Sequence, residues 1–132
     1  MIIVDTSALL AIILGEPEED SFTDILLLQD CAIGSATLLE AHMTLARHEN
    51  EDLYRSLDFL IDRPNIEQIP FEAQHLVIAK RAFDFFGKGR SHPARLNFGD
   101  CMAYAIAKVA DAPLLFKGDD FVHTDIRPAI AV

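Results

Sequence analysis

The strand-like segments of this chain are too short to stand alone in any fold but a layered one. Ile2 to Val4, Cys31 to Gly34, Ile66 to Ile69 and Pro113 to Phe116 are three or four residues each, and helical periodicity fills the stretches between them. Ile2 to Val4 is apolar throughout, as expected of a strand buried on both faces. Short strands alternating with helices imply a parallel sheet covered on both sides. The expected fold is a three-layer α/β/α domain with a mostly parallel sheet of four or five short strands.

The helical segments follow from caps and apolar spacing. Thr6 or Ser7 can cap a helix through Leu14, and Pro17 lies near the first turn of the next, whose apolar face is Phe22, Ile25, Leu26 and Leu28. Ser35 can cap a helix from Ala36 to about His48, with Leu38, Leu39, Met43 and Leu45 as core contacts. Leu53, Leu57, Leu60 and Ile61 mark a further amphipathic helix that Pro64 stops. Glu72 to Phe86 is helical in pattern and ends at Gly87, Lys88 to Arg95 is a basic loop, and Asn97 opens a last helix to about Ala110. No linker or repeat divides the 132 residues, so residues 1–132 are read as one domain.

Charge narrows the functional classes. Eleven Lys and Arg against 21 Asp and Glu leave a formal charge of −10. Such a protein does not coat nucleic acid by bulk electrostatics, which rests on cations neutralising phosphates. It is compatible with an enzyme that grips RNA through a few local cations and a metal, or with one that docks a basic partner. Cys31 and Cys101 are far apart and lack metal-ligand spacing, which suits a reducing cytoplasm. The apolar run Ala8 to Leu14 is far below the ~20 residues of a membrane span. The N-terminal stretch also lacks the basic start and small-residue cleavage site of a signal peptide. No membrane association is expected.

The acidic residues fall where an open α/β sheet keeps its ligands, outside the carboxyl ends of strands and near helix N-termini. Asp5 follows the first strand, Asp119 and Asp120 follow the last, and Asp100 lies in the first turn of the helix opened by Asn97. Each has a simpler use: Asp5 as a helix cap, Asp100 as a favourable charge at a helix start, Asp119 and Asp120 as turn residues. Glu40 shares a helical stripe with Thr37, Thr44 and Arg47 that reads equally well as a solvated face. Together, however, carboxylates in one crevice repel, and a cation among them relieves the repulsion. Hard oxygen donors suit Mg²⁺, with Mn²⁺ as a substitute, and such an ion serves phosphoryl chemistry.

These residues resemble the motifs of a known family. Val4-Asp5-Thr6-Ser7-Ala8-Leu9, Leu39-Glu40, Asn97-Phe98-Gly99-Asp100-Cys101-Met102-Ala103-Tyr104-Ala105, and Pro113 through Phe121 continuing to Thr124-Asp125-Ile126 are similar, in order, to the four acidic motifs of PIN domains. Phe86-Gly87-Lys88-Gly89-Arg90 ahead of the third motif is similar to the VapC toxin subgroup. The resemblance spans essentially the whole chain. It implies a Mg²⁺-dependent endoribonuclease, the toxin of a VapBC toxin–antitoxin pair, that hydrolyses RNA by metal-activated water to 5′-phosphate and 3′-hydroxyl ends. It implies Asp5 and Asp100 as principal metal ligands, with Glu40 ligating directly or orienting bound water. Asp119 is the preferred fourth acid and Asp120 the alternate, and Thr6 supports the site from behind. Lys88, Arg90, His92, Arg95 and Lys117 are the candidate RNA contacts. A VapB-like antitoxin and a homodimer are the implied partners.

Two other readings keep the fold and change the function. One is a Mg²⁺-binding, receiver-like signalling domain without turnover, although no phosphoacceptor Asp on a middle strand is evident. The other is a structure-selective DNA nuclease on the same scaffold.

Overall fold

The computed structural model describes residues 1–130. The chain runs β1 (Ile2–Val4), α1 (Thr6–Ile13), α2 (Glu19–Leu28), β2 (Cys31–Gly34), α3 (Ser35–Leu45), α4 (Glu51–Ile61), β3 (Ile66–Ile69), α5 (Ala73–Phe86), α6 (Phe98–Ala110) and β4 (Leu114–Leu115). The four strands pair in the order β3-β2-β1-β4, every pair parallel. Pro128 adds an isolated parallel bridge to Leu114 at the outer edge. The expected three-layer α/β/α architecture is observed, with the sheet at four strands.

Alternation along β1 builds both halves of the core, because successive side chains of a strand point to opposite faces. Ile3 joins Leu96, Tyr104, Ile106, Leu114 and Phe121 on the face covered by α5 and α6. Ile2 and Val4 join Leu9, Phe22, Leu26, Ile33 and Leu45 on the face covered by α1 to α4. Cys31 and Cys101 are buried free thiols in these two separate cores, so each packs as a small hydrophobe.

Strand order decides where a crevice opens. The chain moves outward from β1 to β2 to β3, then returns through α5 and α6 to place β4 on the other side of β1. The order therefore reverses between β1 and β4, and a cleft forms outside the carboxyl ends of strands at such a switch point. Asp5 directly follows β1, and Asp119 and Asp120 come after β4.

Several local expectations change in three dimensions. The cap of α1 is Asp5 and not Thr6 or Ser7: its side chain accepts from Ser7 N at 3.1 Å. Helix α3 starts after Gly34 with no side-chain cap, so Ser35 does not cap it, and its last turn tightens to a 3₁₀ turn over Ala46–His48. Leu39 and Met43 are exposed, while Thr37, Ala41 and Leu45 face the sheet. The i, i+4, i+8 row of Thr37, Ala41 and Leu45 takes that face. Thr37 therefore leaves the solvated stripe that was expected to include Glu40. Leu28 is exposed at the end of α2, where Phe22 and Leu26 carry the contact. Among the described residues, no helix is long and apolar enough to cross a membrane.

Candidate active site

Asp5 is placed by β1 and held from both sides. Its backbone N–H donates to the Leu115 carbonyl at 2.9 Å, which ties the end of β1 to the end of β4. Ser7 Oγ donates to Asp5 Oδ2 at 2.7 Å and accepts from Lys117 N at 3.0 Å. One hydroxyl thus orients the carboxylate and anchors the turn after β4. Sequence reading missed Ser7; the signal available was a hydroxyl residue two positions after an Asp, the spacing at which a capping carboxylate meets the helix start.

Thr6 reaches the other way. Its Oγ1 stands 2.5 Å from Glu40 Oε1 and 3.2 Å from the Thr37 carbonyl, joining α1 to α3. The Glu40 carboxylate in turn lies over the first turn of α6. A Cβ on Gly99 would stand 1.8 Å from Glu40 Oε2, so a glycine is what admits Glu40 there. The next residue is Asp100. Its Oδ2 accepts from Asn97 N at 3.0 Å while Asn97 Oδ1 accepts from Asp100 N at 2.9 Å, a reciprocal capping box.

Asp5, Glu40 and Asp100, which are 35 and 60 positions apart in the chain (40 − 5 and 100 − 40), therefore meet at one place. Asp5 is 4 % and Asp100 7 % exposed. Burial pushes the Asp5 carboxyl up to about 6, against the Ser7 hydrogen bonds, with the Glu40 charge adding to the rise. Burial pushes Asp100 up to about 7, opposed by the Asn97 N–H and reinforced by the charges of Asp120, Asp5 and Glu40. Among the described residues, no Lys, Arg or His forms an ion pair with any of the three.

Asp100, Asp119 and Asp120 line a crevice of about 390 Å³ together with Lys88, Arg95, Asn97 and His123. Of the adjoining aspartates, Asp120 is the one whose charge acts on Asp100. The cations divide. Lys88 and Arg95 face the crevice. Arg90 turns back to α5, its Nε 3.4 Å from the Asp84 carbonyl and its guanidinium 5.8 Å from the Phe83 ring centre. His92 packs on Phe86 at 5.0 Å between ring centres and accepts from Ala94 N, so it shapes the loop. Lys117 pairs with Glu18 at 3.2 Å and Glu16 at 3.4 Å. His123 was not foreseen, because the turn that carries it shows no regular spacing. The end of the fourth motif is a fastening: Asp125 accepts from Tyr104 Oη at 2.6 Å and Lys108 Nζ at 2.9 Å, pinning the segment after β4 to α6.

The donors fit a hard divalent cation. Every candidate ligand is a carboxylate oxygen, the two best-buried acids have no cationic partner, and their neighbours oppose ionisation. Among the described residues, no group of three or more His, Cys, Asp or Glu side chains is arranged to hold a metal ion. Mg²⁺ keeps several waters and takes one or two carboxylates, so Asp5 and Asp100 would be the pair to hold it.

Comparison with known proteins agrees with this geometry. The sequence profile of the PIN domain matches residues 2–127. The chain is 39% identical over 128 residues to Ribonuclease VapC42 of Mycobacterium tuberculosis, covering 96% of this chain and 98% of that one. It is 38% identical over 129 residues to Ribonuclease VapC28 of the same organism, covering 97% of each. The fold is similar to the crystal structure of M. tuberculosis VapC20, described as a sarcin-ricin loop cleaving toxin, with a TM-score of 0.72 at 15% identity over 97% of this chain and all of that one. The profile match and the full-length similarity together show that the chain belongs to the PIN-domain family, among its VapC members.

Proposed function

We propose that this protein is a Mg²⁺-dependent endoribonuclease, with Mn²⁺ as a working substitute, and the toxin of a VapBC-type pair. The observation that carries the reading is the meeting of Asp5, Glu40 and Asp100 without a cationic partner, in a chain whose relatives are named as ribonucleases. Asp5 and Asp100 are the proposed principal ligands, and Glu40 ligates or orients bound water. Asp119 and Asp120 both line the crevice, and the fourth place falls to one of this pair, Asp119 preferred by motif and Asp120 the alternate. When bound, the ion supplies a hydroxide at neutral pH and offsets charge developing on the phosphodiester.

The chain's own part is positioning. Ser7 and the Asn97 N–H hold one oxygen each of Asp5 and Asp100, and Thr6 holds Glu40. Lys88 and Arg95 line the same crevice as Asp100, Asp119 and Asp120, and their proposed role is to bind phosphate oxygens and set the register of the strand. The products are 5′-phosphate and 3′-hydroxyl ends, without a covalent enzyme intermediate. A basic segment of a VapB-like antitoxin entering the acidic crevice would compete with the metal, and the net charge of −10 favours its approach. We also propose a homodimer working in the cytoplasm.

Matched RNA and DNA oligonucleotides, with Mg²⁺ and with EDTA, test the reading. Cleavage of RNA alone, abolished by EDTA, is expected. DNA cut as readily as RNA points to the structure-selective DNA nuclease, and RNA cleavage that survives EDTA removes the metal from the mechanism.

Gly99→Ala probes Glu40 without touching it. The new Cβ displaces the Glu40 carboxylate and breaks its hydrogen bond to Thr6. Groups that orient ligands typically contribute 10- to 100-fold in activity or metal affinity, so kcat/KM is expected to fall by about that factor. Alanine suits the interior of a helix, so circular dichroism should show the fold retained. Unchanged activity would take Glu40 out of the site.

A further inference from the structure

Beside the acidic crevice lies a second cavity of different character. It has a volume of about 870 Å³ between α5 and α6, and its walls are largely apolar. Phe71, Phe83, Phe98 and Met102 line it, and it shares Lys88 and Asn97 with the carboxylate crevice, so the two adjoin. Its volume is in the range of small-molecule sites, about 300–1,000 Å³. The most unusual residue is Phe98. It is the first residue of α6, two positions before Asp100, and its side chain is 82 % exposed. An aromatic ring left in water at the edge of a reaction centre lacks a packing reason in the folded chain.

We propose that this slot receives one unstacked nucleobase of the RNA strand, next to the bond being cut, with Phe98 as its stacking platform. The inference rests on the ribonuclease reading and names how that site holds its substrate. A single-stranded or loop RNA drawn over the crevice must splay its bases, and unstacked bases are commonly received on aromatic side chains. The slot offers such faces where a neighbouring nucleotide would fall. Lys88 on the shared wall meets the phosphate between the cut bond and the stacked base. Charge complementarity and the wall shared with the crevice favour this occupant over another protein surface: Lys80 and Lys88 outnumber Asp84 among the polar lining residues, and the rest of the wall is largely apolar. Stacking tolerates any base, so Phe98 sets affinity and register more than sequence.

The test uses a single-stranded RNA oligonucleotide that the full-length protein cuts with Mg²⁺, and copies of it carrying one abasic nucleotide at successive positions around the cut. Phe98→Ala is expected to lower kcat/KM on the intact RNA by roughly 5- to 150-fold, chiefly through KM, the range set by one base–aromatic stack. Phe98→Trp is expected to restore it. At one abasic position the wild type should fall to the level of Phe98→Ala, while Phe98→Ala falls no further. Equal losses for wild type and variant at every abasic position would overturn the proposal, as would an unaffected Phe98→Ala. A change of oligomeric state by light scattering in Phe98→Ala would also overturn it, marking the ring as a contact between protein copies. Failure of the wild type to cut any RNA would instead remove the ribonuclease reading, before the Phe98 variants are compared.

Discussion

Asp5→Asn and Asp100→Asn are each expected to abolish RNA cleavage, by about 10³-fold or more, in proteins that fold as the wild type does. A bound divalent cation contributes several kcal/mol of charge stabilisation at the transition state. Each 1.36 kcal/mol is tenfold in rate, so ~4 kcal/mol is about three decades. Asparagine keeps the shape and one acceptor oxygen. Ser7 can still donate to residue 5, and the Asn97 N–H can still donate to residue 100, so the cap of α1 and the capping box of α6 survive. What is lost is the negative charge. Single-turnover cleavage of an RNA oligonucleotide, alongside circular dichroism, reads both halves. Full activity in the two purified variants would mean that the meeting point of these carboxylates is not where the chemistry occurs.

The same substitutions are expected to stabilise the protein when metal is absent. Asp5 and Asp100 are raised from 3.8 to about 6 and about 7 in the folded state. A carboxyl whose pKa rises on folding takes up a proton as it folds. Its favourable contribution is fully present below the unfolded value and is lost as pH climbs through the folded one. For Asp100 the difference is on the order of 4 kcal/mol at most, from 1.36 kcal/mol per pKa unit, and coupling to Asp5 makes the two effects non-additive. In EDTA at pH 8, Asp100→Asn should therefore melt higher than wild type, by on the order of 5–10 °C. The gap should narrow as pH falls to 5, where both aspartates are largely protonated in the folded state, and should close only below the unfolded value of 3.8.

Mg²⁺ should raise the wild-type melting temperature at pH 8, since a ligand at 100 times its Kd stabilises by about 2.7 kcal/mol. The variant should gain much less. A metal-free Asp100→Asn that melts below wild type at pH 8, with Mg²⁺ raising both alike, would show that these carboxylates are not held against their own repulsion.

The elements of the fold were legible for a local reason. Ile66 to Ile69 is closed by Pro70, which lacks the N–H to continue a ladder, and Asn97 and Gly87 mark helix ends by their own chemistry. Side-chain burial was less legible. Leu39 and Met43 are apolar and correctly spaced, yet Thr37 and Ala41 take the buried face of α3. Hydrophobicity states what would gain from burial, but the room between packed elements states what fits. The basic loop repeats the point. Lys88, Arg90, His92 and Arg95 are alike as a cluster, but only Lys88 and Arg95 face the acids, because Arg90 and His92 are drawn onto Phe83, Phe85 and Phe86.

By itself the sequence determined the alternation of short strands and helices, the places of Asp5 and Asp100 at a strand end and a helix start, and the order of the motifs. These depend on interactions within a few residues. Tertiary structure alone decided that Glu40 stands over Gly99, that Ser7 ties Asp5 to the turn after β4, and that Phe98 is left bare beside the crevice. Those contacts join residues brought together by the strand order β3-β2-β1-β4, and no spacing along a chain encodes a distance across a sheet.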